Sequence, residues 1–190
     1  MCGTMLSAML VVISSFPIVE DGLPRATIAS LPGDAPVEVR RAVAEFQRVV
    51  QRMTGVQVVA GPANGEPVIH VGRDELVEKA GLHLGDLDED GFVIHTLGDR
   101  HLILAGRYPH GSAFAVYRFR HKYGGVRWYF PTELGEVVPR QTRFVVGPLA
   151  DREEPAYRSR QWSAAAGFDG GEWERHNLCR GRYDFHHNLL

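Results

Sequence analysis

The segment from Asp34 to Gly55 constrains this chain more than any other, because it reads as one long helix with a single apolar stripe. Val39, Val43, Phe46, Val50 and Met53 recur at helical spacing, while Arg40, Arg41, Glu45, Arg48 and Arg52 fall outside that stripe. A helix this one-sided is stable only when the stripe is covered, so the chain must supply a sheet or a second helix against it. Asp34 is placed to cap the helix, Pro36 suits its first turn, and Gly55 supplies a stop.

The rest of the chain supplies both kinds of partner. Ile18 to Leu31 reads as two extended pieces around Asp21-Gly22, with Ala26, Ile28 and Ser30 alternating against Thr27 and Ala29. Val56–Ala60 and Val68–Gly72 are β-branched runs, and Asp74–Ala80 reads as a short helix. Gly91–His95 and His101–Ala105 flank Gly98-Asp99, which is hairpin chemistry. A second helix is expected from Ser112 to Tyr123, stopped by Gly124-Gly125, with further strands at Val126–Phe130 and Arg143–Val146. Strands and helices mix without regular βαβ repetition, so the expected fold is α+β: a mixed sheet with two main helices on one face.

Three stretches divide the chain. Met5 to Phe16 is apolar and too short to cross a bilayer, and no Lys or Arg precedes Arg25. Residues 1–17 therefore read as a signal peptide of unusual type, a first strand or a misassigned start. Residues 18–150 form the expected α+β domain. Asp151-Arg152-Glu153-Glu154-Pro155 reads as a solvated linker, which predicts that a chain ending near Leu149 folds as well as the longer one. Beyond it, residues 151–190 turn rich in Trp, Arg, His and Gly.

Several function classes lose support here. A formal net charge of -2 gives no electrostatic reason to expect nucleic acid. Asp86 to Gly91 matches the first half of a calcium loop, but Leu97 stands where the bidentate Glu belongs, leaving an acidic, solvated turn. Gly106–Ser112 has the glycine spacing of a phosphate loop without its lysine, so a tight strand-to-helix connection is expected. The nine histidines never form His-Glu-x-x-His, and Cys2 and Cys179 lie at opposite ends, so neither a metal site nor a disulfide is expected. No cofactor motif and no catalytic residue can be named.

Taken in order, several segments carry a resemblance. They are Gln51-Arg52-Met53-Thr54-Gly55, Val68–Gly72, Asp90-Gly91-Phe92-Val93-Ile94, and Gly111–Phe119 running on to Gly125–Pro131. Together they resemble the N-terminal domain of bacterial α-glucuronidases and the domain that precedes the barrel in β-hexosaminidases. In the tail, Pro155–Arg160, Trp173–Asn177 and His186-His187-Asn188 resemble the opening of the (β/α) barrel in large uncharacterised glycoside-hydrolase-like proteins.

The resemblance implies a non-catalytic accessory domain of a secreted, extracellular or periplasmic glycoside hydrolase, followed by an incomplete barrel whose acid and nucleophile or base lie downstream. It implies no cofactor, and a carbohydrate substrate held by the barrel. An arginine ending the first barrel strand contacts sugar in such enzymes, and Arg160 stands in the matching place. Trp162, Trp173, Asn177, His186, His187 and Asn188 join it as candidate sugar contacts, since guanidinium forks hold paired hydroxyls and indole faces stack on pyranose rings. Two other readings stay open. Trp162 and Trp173 are equally suited to a core, and Arg158 or Arg160 to pairing with Glu153 or Glu154. The whole chain also fits a self-standing carbohydrate-binding or protein-interaction module.

Overall fold

A computed structural model describes residues 14–62, 64–161 and 171–180. Eleven strands and four α-helices are found there. In chain order they are β1 (Phe16–Glu20), β2 (Leu23–Pro24), β3 (Thr27–Ala29), α1 (Val37–Thr54), β4 (Ala60–Gly61), β5 (Val68–Val71) and α2 (Glu75–Lys79). They continue with β6 (Phe92–Leu97), β7 (His101–Gly106), α3 (Pro109–Lys122), β8 (Arg127–Trp128), β9 (Glu136–Val137), β10 (Phe144–Val146), β11 (Ala150–Glu153) and α4 (Gly171–His176).

Six strands form the central sheet in the order β11-β6-β7-β5-β3-β4. The β4-β3-β5-β7 part is parallel and β7-β6-β11 antiparallel, so the sheet is mixed. Strand alternation sorts its side chains into two cores. Phe92, Ile94, Leu102 and Leu104 join the buried stripe of α1 and most of α3 on one face. Val93, Ile103 and Ala105 point the other way and are covered by α2 and the loop bearing Leu84 and Leu87. The two main helices thus share one face, as expected, and the second face carries a smaller core of its own.

Helix α1 buries Val39, Ala42, Val43, Phe46, Val49, Val50 and Met53. Burying each large aliphatic or aromatic side chain contributes about 1.5–3 kcal/mol, against about 0–1 for an exposed ion pair, so the stripe rather than the arginines fixes the helix. Its entry differs from expectation. Pro36, not Asp34, occupies the cap position, and no side chain caps the helix. Gly55 ends it at φ 78°, the left-handed region that glycine enters without strain.

Four further expectations are corrected. Val56–Ala60 contributes only Ala60–Gly61 as strand, because the Val58 carbonyl accepts from the Gln47 side chain at 2.8 Å instead of a neighbouring strand. Residues 26–28 do not alternate, since β3 lies inside the sheet and Ala26, Thr27 and Ile28 are all buried. Helix α3 begins at Pro109 rather than Ser112, with proline where a missing N–H leaves nothing unpaired.

The expected linker is the largest departure. Ala150–Glu153 pairs with His95–Phe92 as the antiparallel edge of the central sheet. Its charges suit an edge strand with one face outward, and they have partners: Asp151 with Lys122 at 2.8 Å and Glu153 with Arg118 at 2.8 Å. Of the first seventeen residues, Phe16 and Pro17 lie in β1, which pairs with β10 and β2 in a small separate sheet, and residues 1–13 lie outside the described ones.

Candidate functional site

The turn leading into β6 places Asp90 beneath the segment that follows β11. Its carboxylate is 5% exposed and gathers two guanidinium donors, with an imidazole nitrogen close by. Arg160 Nη2 reaches Oδ2 at 2.7 Å, Arg180 Nη1 reaches Oδ1 at 2.5 Å, and His110 Nε2 stands 3.0 Å from Oδ1. Arg180 also reaches Glu89 at 2.9 Å. Burial alone would lower Arg180, but its hydrogen bonds to Glu89 and Asp90 raise it above the ordinary guanidinium value. Asp90 was expected in a solvated turn, and it is the buried exception. Its burial is tolerable because both oxygens are paired.

Arg160 is tied on other sides as well. Its Nε donates to the Leu178 carbonyl at 3.0 Å, its Nη1 to the Tyr157 carbonyl, and its backbone N–H to Arg180 at 2.7 Å in an isolated antiparallel bridge. The guanidinium lies 5.8 Å from the Phe114 ring centroid. Its acidic partner is thus Asp90, while Glu153 pairs with Arg118.

A second cluster lies where α4 meets α1, α3 and β8. The Trp128 carbonyl accepts from Trp173 Nε1 at 3.0 Å and from Asn177 Nδ2 at 3.2 Å. His176 is buried beside Trp128, ring centroids 4.3 Å apart, and meets Tyr117 edge-on. Arg120 is fully buried, with its guanidinium 5.0 Å from the Tyr117 ring and 4.9 Å from the Trp128 ring, and it donates to the Glu45 carbonyl at 3.1 Å. Burial lowers Arg120 to about 10 despite the opposing charge of Glu45.

Burial alone would raise Glu45. Contacts with His176 and Arg48, and the charges of Arg48 and Arg120, outweigh it and hold the carboxyl well below the usual range. Glu136 sits in a similar balance: burial pushes it up, while Arg48, Arg52 and the Trp128 indole N–H at 3.2 Å bring it down. Burial lowers His176, and Arg120 adds to that effect.

Two clefts flank this junction. One, of about 370 Å³, is lined by Asp90, Phe114, Arg118, Glu154, Arg160 and Asn177 among others. The other, of about 820 Å³, lies between α1, the β8–β9 connection and α4, and Trp173 lines it. Arg160 and Trp173 therefore face different clefts, and His176 borders both. Trp162, His186, His187 and Asn188 lie outside the described residues. Sequence reasoning passed over Asp90, Trp128, Arg120 and Arg180. Only the ordering of Asp90-Gly91-Phe92 before a strand hinted at the first. Among the described residues no His, Cys, Asp or Glu cluster has metal-binding geometry, and no helix is long and apolar enough to cross a membrane.

No family model matches the sequence, and no curated protein matches it. Solved structures do match. One is a family GH115 4-O-methyl-α-glucuronidase with specificity for decorated arabinogalactans, at 19% identity and TM-score 0.59, covering 77% of this chain and 19% of that one. Another is the GH20 β-N-acetylhexosaminidase from Streptomyces coelicolor A3(2), at 16% identity and TM-score 0.51, covering 77% of this chain and 25% of that one. The fold is therefore one that occurs within α-glucuronidases and β-hexosaminidases. The chain spans about a fifth to a quarter of the length of those enzymes.

Proposed function

We propose that this chain is the non-catalytic accessory domain of an exported glycoside hydrolase acting on oligo- or polysaccharide, joined to the first elements of its catalytic barrel. The observation that carries the reading is the double anchorage of the C-terminal segment. Asp90 holds Arg160 and Arg180, and the Trp128 carbonyl holds Trp173 and Asn177. A domain built to seat a catalytic barrel needs such fixed points, because a small displacement of a sugar-binding group costs catalysis heavily. In this reading Arg160 and Asn177 face the sugar from the seated segment, with Trp162, His186, His187 and Asn188 as the further contacts, while Trp173 belongs to the other cleft.

The decisive experiment compares the 190-residue chain with the protein of its full reading frame on a panel of aryl glycosides. The expected result is nitrophenol release by the longer protein and none by the chain alone. Hydrolysis by the chain, or an inactive longer protein, would overturn the reading.

A further inference from the structure

The larger cleft has a composition that the seating role does not require. Its inner wall is a set of charged groups fixed by mutual pairing: Arg48 bonds both Glu45 and Glu136, Arg52 bonds Glu136, and Trp128 Nε1 donates to Glu136 at 3.2 Å. Glu136 is only 10% exposed at its side chain, whereas Arg48 and Arg52 remain 37% and 49% exposed. Aromatic side chains line the same cleft. Trp173 is half-buried with its indole N–H held by the Trp128 carbonyl, so the ring orientation is set, and Phe130 is 47% exposed on the β8–β9 connection. Glu133 and Glu172 stand at the rim, Glu172 paired with Arg175.

An oriented aromatic ring and planar, bidentate polar groups lining one cleft match the two sides of a pyranose, whose C–H face stacks while its hydroxyls both donate and accept. A purely apolar partner would strip water from the exposed parts of these charged groups and give nothing polar in return, which is costly. The charge balance narrows the class further. Four carboxylates line the cleft against two arginines, Arg48 and Arg52, and both arginines are already paired, so an acidic sugar would meet like charge at the rim.

We propose that the cleft between α1, the β8–β9 connection and α4 binds a neutral oligosaccharide, with Trp173 and Phe130 as stacking platforms and Arg48, Arg52 and Glu133 as hydroxyl partners. The proposal deepens the glycoside-hydrolase reading but is tested independently of it.

The test titrates the 190-residue chain with neutral xylo-, cello- and galacto-oligosaccharides and with glucuronic-acid-bearing counterparts, followed by tryptophan fluorescence and calorimetry. Saturable binding of at least one neutral series is expected, at least tenfold tighter than its acidic counterpart. Phe130→Ala, which removes an exposed ring, and Trp173→Leu should each weaken binding at least tenfold. Tyr157→Ala, at an exposed tyrosine outside the cleft, should leave it unchanged. Absence of saturable binding to every neutral series overturns the proposal, as does binding indifferent to Phe130→Ala in a chain that unfolds normally. So does a self-associated chain that Phe130→Ala converts to monomer in sedimentation, since the cleft would then be covered by a second copy. A longer protein that hydrolyses glycosides while the chain binds none removes the cleft proposal and leaves the accessory-domain reading standing.

Discussion

Asp90 and Arg160 are 70 residues apart in sequence, yet their side chains meet at 2.7 Å with the carboxylate almost wholly buried. Asp90→Asn keeps the shape and removes the charge opposite two guanidinium groups. Because Arg160 and Arg180 are themselves partly exposed, the cost should be about 2 kcal/mol, below that of a fully buried pair. The substitution should also speed tryptic cleavage at Arg158 and Arg160 while leaving the central sheet folded, read by proteolysis and urea unfolding. Unchanged cleavage would remove the anchoring role.

Gly106 should tolerate no side chain. A Cβ there would lie 2.5 Å from the Gly111 carbonyl carbon, and the obstacle is backbone that cannot turn aside. Gly106→Ala should lower stability by about 2–3 kcal/mol in chemical denaturation, in line with overpacking in a tight core. Gly33→Ala, which meets nothing within 4 Å, is the matched control and should be close to neutral.

Shortening the chain to Leu149 should destabilise it relative to one ending at Pro155. The shorter chain loses strand β11, which pairs with β6, and the partners of Arg118, Lys122 and Tyr123. A lower midpoint in thermal and urea unfolding is the expected reading, and equal midpoints would mean that the edge strand adds nothing.

Stability should fall with acid in two windows. His95, His101, His121 and His176 are each lowered, chiefly by burial, so the unfolded chain binds their protons more readily. Their contribution is complete above the unfolded histidine value of about 6.5 and declines as pH drops through it. Glu45 and Glu136 are held down by their cationic partners despite burial, so their contribution persists to about pH 4 and is lost below it. His176→Phe should flatten part of the first decline and, because its contact helps hold Glu45 down, also shrink the Glu45 share of the second, as measured by unfolding free energies from pH 7.5 to 3.5.

What the sequence disclosed and withheld follows a physical division. The stripe of α1, the β6–β7 hairpin around Gly98-Asp99 and the Gly55 stop are local patterns, and local patterns can be read from spacing. Strand β11 could not be, because its charges look like a linker until Lys122 and Arg118 are known to face them. Asp90 was hidden for the same reason: a carboxylate in an acidic run is surface charge unless two distant arginines fold over it. Arg160 and Trp173 were legible as unusual residues, but not as neighbours of different clefts, since that depends on the path between them.

The edge position of β11 bears on how such a domain can be inherited. A gene fusion or exchange that cuts just before Ala150, where the charge run begins, would strip the sheet of its last strand and leave β6 with an open edge. A cut after Glu153 would keep the sheet whole but part Asp90 from the arginines it holds. The sheet and the segment anchored on it are thus expected to travel through evolution together, since only a cut beyond Arg180 spares both.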